Sequence, residues 1–176
     1  MTGVQACALP IYAPHKLQVG RSALDIRLCA SFTVRGETIP PRDPYAGPLD
    51  AVDHDEYDGI VLCDAAPDAG DAVRAAEPGG WIAFRDVGFA GGAAACRLQA
   101  GGPEGGVLTL RLDDPLFGPV AGTVTVPATG RHEFATVGCP LLGATGVRDL
   151  YLVFEDAGLT VRTLAFTAAA PPGDPR

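Results

Sequence analysis

The sequence predicts an all-β protein, an antiparallel sandwich or barrel, and three observations carry that expectation. Residues 106–156 read GVLTLRLDDPLFGPVAGTVTVPATGRHEFATVGCPLLGATGVRDLYLVFED. Apolar and polar residues alternate there over short stretches, which Asp-Pro, Gly-Pro, Pro-Ala-Thr-Gly and Gly-Ala-Thr-Gly interrupt. Alternation at period two sends successive side chains to opposite faces of a strand, and turn signals at this spacing favour antiparallel pairing. The chain of 176 residues also carries 23 glycines and 16 prolines with only 19% charged residues, a turn-rich composition. Finally, no stretch joins helical periodicity to the length and residue types of a long helix.

Taken in order, residues 1–11 (MTGVQACALPI) have neither the basic start nor the small-residue cleavage site of a signal peptide, and Pro10 breaks their apolar stretch. They resemble the translation of a sequencing adapter read into a gene fragment, which implies an artefact and a protein that continues upstream. Residues 12–35 hold two strands, 16–19 and 25–34, with a turn at 20–22. A lone hairpin is marginal in water. Residues 36–48 (GETIPPRDPYAGP) form a linker, because Pro40, Pro41, Pro44 and Pro48 remove ladder donors and favour extended backbone. Candidate strands follow at 50–52, 60–63, 81–84, 94–99, 107–112, 123–126, 133–137, 150–154 and 159–166. Their inward faces include Leu108, Leu110 and Leu112, Val124 and Val126, and Leu150, Leu152 and Phe154. Tyr151 alternates with Leu150 and is expected to point outward. The tail, 168–176, is expected to be disordered.

Composition excludes several function classes. A net charge of −8 argues against a nucleic-acid partner, which clustered Lys and Arg would mark. No apolar run is long enough to cross a bilayer as a helix. No Cys-x-x-Cys or Cys/His spacing suits zinc. Cys96 and Cys139 are read as buried free thiols, with a disulfide among the sandwich cysteines left open. No segment has the form of a nucleophile elbow, a phosphate loop or a dinucleotide fingerprint. Glycosidases need paired carboxylates across a cleft, and no acidic residue stands in such a segment. The acidic run Asp50, Asp53, Asp55, Glu56 and Asp58 reads as a solvated edge, and Trp81 as a packing residue.

The wording of residues 49–167 resembles the family 6 carbohydrate-binding modules. The order Leu-Arg-Leu-Asp-Asp-Pro, Gly-Pro-Val-Ala-Gly-Thr, Val-Pro-Ala-Thr-Gly and Gly-Val-Arg-Asp-Leu-Tyr-Leu-Val-Phe carries it. The opening Leu49-Asp50-Ala51-Val52-Asp53-His54-Asp55 is similar to the family's Ile-Glu-Ala-Glu-Asp-Tyr-Asp, and Gly79-Gly80-Trp81-Ile82-Ala83-Phe84 to its Gly-Asp-Trp-Leu-Ala-Tyr. Val161-Arg162-Thr163-Leu164-Ala165-Phe166 stands where the family closes with Leu-Asp-Trp-Phe-Arg-Phe. The resemblance implies an antiparallel β-sandwich of jelly-roll type that binds an oligo- or polysaccharide and does not cut it. Residues 12–35 resemble the last hairpin of the fibronectin type III-like domain of glycoside hydrolase family 3 enzymes. Together these imply a fragment of a glycoside hydrolase, with β-glucan or xylan as ligand class and the parent enzyme's domains as partners in cis.

Residue by residue, the resemblance implies a degraded site. Sugar binding needs a flat aromatic face against the pyranose and polar groups for its hydroxyls. The family's first aromatic, six residues before the Trp, falls at Ala75. The second falls at Thr129-Gly130-Arg131-His132, so Arg131 or His132 must serve. Its Asn corresponds to Thr160, and Thr163 replaces the closing Trp. The family's calcium positions fall at Asp50, Val52 and Arg162. A hard cation needs several oxygen donors, so no metal or other cofactor is expected, and an Asp50–Arg162 ion pair is the physical alternative. A sandwich that has lost its sugar site and only packs against a parent enzyme is the competing reading.

Overall fold

The computed structural model describes residues 13–22, 24–34, 39–66 and 70–170 and divides the chain into two compact units, residues 1–40 and 41–176. The segment 1–11 and residues 171–176 of the expected tail lie outside the described residues. In the first unit β1 (Ala13–Ser22) and β2 (Asp25–Val34) form an antiparallel hairpin. Both strands run to the reversal, which sits at residues 22–25 and not at 20–22. The Ser22 hydroxyl accepts the N–H groups of Leu24 (3.3 Å) and Asp25 (3.2 Å), and a bulge around Gly20 absorbs the extra residues.

The second unit is a two-sheet antiparallel sandwich, as alternation and turn spacing predict. Its strands are β3 (Leu49–Asp50), β4 (Glu56–Asp58), β5 (Ile60–Asp64), β6 (Asp71–Ala75), β7 (Gly80–Gly88), β8 (Ala93–Gly101), β9 (Gly106–Leu112), β10 (Val120–Val126), β11 (Ala135–Pro140), β12 (Val147–Phe154) and β13 (Thr160–Ala168). One sheet runs β10-β9-β12-β7-β4; the other runs β11-β8-β13-β6-β5, with β3 also paired to β13. A single 3₁₀ turn, Ala51–Asp53, is the helical element among the described residues. It replaces the expected strand 50–52 after two residues.

Alternation places the core. Leu150, Leu152 and Phe154 of β12 lie in register with Leu112, Leu110 and Leu108 of β9, and the first two also with Phe84 and Ile82 of β7. All of these side chains are buried, and Leu98 and Leu164 close the core from the facing sheet. Val124 and Val126 are buried as expected. Tyr151 is a correction. It leaves the Leu150 face as alternation requires, yet it is only 4% exposed, because the Trp81 ring packs edge-on against it at 5.4 Å and the Arg85 guanidinium lies 5.5 Å from its ring centre.

Two strands, β4 and β6, escape a reading based on periodicity. Glu-Tyr-Asp is too short and too polar to signal a strand, and Asp-Ala-Val-Arg-Ala lacks clean alternation; pairing with β7 and with β5 and β13 holds them. The proline-rich segment also departs from expectation, since its second half lies on the sandwich. Arg42 N–H donates to Asp86 O and Gly88 N–H to Arg42 O, both at 2.9 Å, while Arg42 forms an ion pair with Asp55. The Tyr45 hydroxyl lies 3.1 and 2.9 Å from the carbonyl oxygens of Phe89 and Gly92 and donates to them. Pro residues flank these contacts without interrupting them.

Removing Leu152 to alanine leaves a void in the centre of the β9-β12-β7 row. The expected cost is about 2–5 kcal/mol, read as a lowered denaturant midpoint with an unchanged slope.

Candidate functional site

The candidate site is a cleft of about 640 Å³ at one edge of the six-stranded sheet. Its floor comes from the end of β5, from Arg74 on β6, from Gly101 at the end of β8 and from Thr160 at the start of β13. Thr160 stands in register with both Arg74 and Gly101, so regular pairing sets the floor. The far wall is the β10–β11 loop, which carries Arg131, His132 and Phe134.

That loop is held at three points. Thr129 N–H donates to Gly102 O (2.8 Å), and Gly102 N–H donates to the Thr129 hydroxyl (2.9 Å). Residues 130–133 close a turn, with Glu133 N–H on Gly130 O (3.1 Å) and Gly130 N–H on a Glu133 carboxylate oxygen (3.0 Å). His132 takes a left-handed φ of +63°, which costs a non-glycine residue about 1–2 kcal/mol. Its ring Nδ1 lies 3.1 Å from Ala65 O, so as the N–H tautomer it donates across the cleft and leaves Nε2 for a ligand. Gly101 is required beneath this loop, since a Cβ there would overlap Glu133 O and the Thr129 hydroxyl.

Of the positions singled out from sequence, Arg131, His132 and Thr160 line one cleft, and Ala75 and Thr163 do not. Ala75 is 2% exposed and belongs to the core, with its backbone bonded to Leu159 O and Gly158 N–H. A six-residue count back from Trp81 therefore reaches a core position, and its neighbour Arg74 reaches the cleft. Thr163 pairs with Asp50 and Gln99 away from the cleft. Sequence reasoning missed Phe134, Leu62 and Arg74 on the cleft wall. Phe134 was legible as an aromatic two residues beyond His132; the other two depend on β5–β6 pairing.

At the positions implied for calcium, Val52 packs against the core, Asp50 is exposed, and Arg162 brings a cation. No ion pair joins Asp50 to Arg162 among the described residues. A register irregularity between Val161 and Thr163 falls on Arg162, and the partner of Asp50 is Thr163. Among the described residues, no three His, Cys, Asp or Glu side chains gather as metal ligands. Cys96 and Cys139 are register partners with free, buried thiols, and burial pushes the Cys96 thiol up. The acidic edge is partly engaged, since Asp55 pairs with Arg42 and Glu56 with Arg85 at 2.6 Å. His54 Nδ1 lies 2.9 Å from Ala51 O, and its ring meets Tyr57 edge-on at 5.2 Å.

A two-sheet sandwich that opens a polar, loop-walled cleft at one edge has the architecture of a ligand-binding module. The chain belongs to carbohydrate binding module family 6, whose description it matches over residues 50–168. That family is one of non-catalytic binding modules. Among curated proteins it is similar to the arabinoxylan arabinofuranohydrolase of Bacillus subtilis (strain 168), at 34% identity over 88 residues, covering 49% of this chain and 17% of that protein. This chain thus spans less than a fifth of that relative's length. Among solved structures, a glycoside hydrolase family 43 arabinoxylan arabinofuranohydrolase from Bacillus subtilis, in complex with cellotetraose, superposes with a TM-score of 0.68 and 26% identity over 86% of this chain and 33% of its own. A β-1,3-glucan binding family 6 module from Bacillus halodurans gives a TM-score of 0.67 and 27% identity over 73% of this chain and 99% of its own.

The anchoring of this loop is testable without any ligand. Thr129→Ala removes the acceptor of Gly102 N–H, worth about 1 kcal/mol. Amide exchange of Gly102 and of residues 130–134 should accelerate, while exchange in β9 and β12 stays unchanged.

Proposed function

We propose that the sandwich holds an oligosaccharide of β-glucan or xylan type in the cleft between Arg74, Thr160 and the Arg131–Phe134 wall, as an accessory module of a glycoside hydrolase. The observation that carries this reading is the convergence of Arg131, His132 and Thr160 on one cleft. The arabinoxylan-active relative and the β-1,3-glucan binding module support the ligand class. The module captures; it does not cleave. Hydroxyl-directed donors come from Arg131 and Thr160, and the rings of His132 and Phe134 supply what flat surface there is.

Affinity in this cleft is low by design of the residues. With Ala75 in the core, no Tyr or Trp among the described residues lines the cleft to lie flat beneath a pyranose ring. A stacked ring is worth about 0.5–1.5 kcal/mol beyond area burial, by analogy with aromatic pairs, and each 1.4 kcal/mol is about tenfold. Millimolar dissociation constants follow. Titration with xylo- and gluco-oligosaccharides should find them, and Arg131→Ala with His132→Ala should remove the binding. Micromolar binding that survives the double replacement but falls with Trp81→Ala would move the site to the outer face of the five-stranded sheet, where Trp81 is half-buried against Tyr151.

The competing reading, a structural appendage that only packs against its parent enzyme, is favoured by the burial of Ala75. No binding to any glycan, neutral or acidic, with the fold intact, would select it.

Stability in this reading does not depend on calcium, because Val52 and Arg162 supply no side-chain oxygen at the implied positions. A native-state ligand at a hundred times its dissociation constant adds about 2.7 kcal/mol. The melting temperature should therefore stay unchanged between EDTA and millimolar calcium, and an upward shift with calcium would overturn the point.

A further inference from the structure

We infer that the sugar this cleft takes carries a carboxylate, a uronic-acid-bearing oligosaccharide, with Arg74 and Arg131 as its specificity determinants; the inference rests on the cleft being the sugar site. Within the sandwich, Arg42, Arg85 and Arg148 are each committed to a carboxylate of the fold, Asp55, Glu56 with Asp149, and Asp113 respectively. Arg74, Arg97, Arg111, Arg131 and Arg162 form no ion pair among the described residues, and of these Arg74 and Arg131 line the cleft. Arg74 rises from a paired strand between Val61 and Thr160, so its base is fixed by the sheet.

A neutral sugar seated over these groups would strip water from two guanidinium ions and return only hydroxyl acceptors. Covering an unpaired charge is costly, whereas a carboxylate satisfies the planar fork of an arginine with two parallel hydrogen bonds. Asp64 and Glu133 are the competing carboxylates of the lining, and Glu133 is partly engaged on its own loop, accepting Gly130 N–H at 3.0 Å. His132 donates to Ala65 O from Nδ1 and keeps Nε2 for a hydroxyl. The chain as a whole carries −8 and repels anions at long range, so selectivity here comes from short-range pairing.

The test is calorimetric titration of the full chain with a xylo-oligosaccharide bearing one glucuronic acid branch, the methyl ester of that same compound, and the unbranched xylo-oligosaccharide. The acid should bind about tenfold or more tighter than its ester, as expected for losing a charged hydrogen-bonding partner. Arg74→Gln and Arg131→Gln should each shrink that ratio, and Arg74→Lys should lose part of it while keeping the charge. Asp64→Asn should widen it. Arg74 and Arg131 are exposed, so the variants should melt as the parent does. Equal affinity for acid and ester, a preference that survives both arginine replacements, or equal binding of dextran sulfate would each overturn the inference while sparing sugar binding. Failure of all three sugars to bind would overturn the sugar reading and the inference together.

Discussion

The structure depends on the register of three neighbouring strands. β9, β12 and β7 align Leu112, Leu150 and Phe84 in one row and Leu110, Leu152 and Ile82 in the next, all of them fully or almost fully buried. A strand has period two, so a slip of one residue would turn this whole set to solvent and bring Arg111, Tyr151 and Arg85 into the core. No local propensity is as demanding. The facing sheet answers with Leu98 and Leu164, also in register, and the sandwich closes over them.

The same register writes the outer face of the five-stranded sheet. Tyr151, Trp81 and Arg85 alternate with core residues and so meet one another. Arg85 then pairs with Glu56 at 2.6 Å and with Asp149, and these carboxylates raise its affinity for the proton. Partly exposed pairs of this kind contribute little each. Their effect is to cover Tyr151 and to bind β4, a strand of three exposed residues, to its neighbour.

The cleft belongs to the other sheet and is built by a different device. Its floor is regular backbone pairing at Arg74, Thr160 and Gly101, and its wall is a loop closed on itself by Glu133 and anchored through Thr129 to Gly102. A rigid sheet thus carries a loop whose side chains are free to face a ligand, the usual division between scaffold and recognition. The left-handed His132 backbone is strain of the sort that persists where surrounding contacts over-determine a conformation, here the turn and the ring's bond to Ala65.

Sequence alone determined the all-β class, most of the strands and the apolar faces of β9, β10 and β12, because period-two alternation is a local record of a half-buried sheet. The resemblance to the family, and not periodicity, singled out Arg131, His132 and Thr160, and the fold brings the three to one cleft. Sequence alone misplaced what depends on partners. Ala75 counts as a cleft position along the chain, but the pairing of β6 with β5 and β13 turns it into the core and presents Arg74 instead. Tyr151 was assigned to the correct face and the wrong environment, since only packing brings Trp81 and Arg85 over it. The pairing of β3 with β13 sets Asp50 opposite Thr163 and not opposite Arg162. Direction along a strand is local; which side chain covers it, and which cation is left unpaired in a cleft, is settled only when distant strands meet.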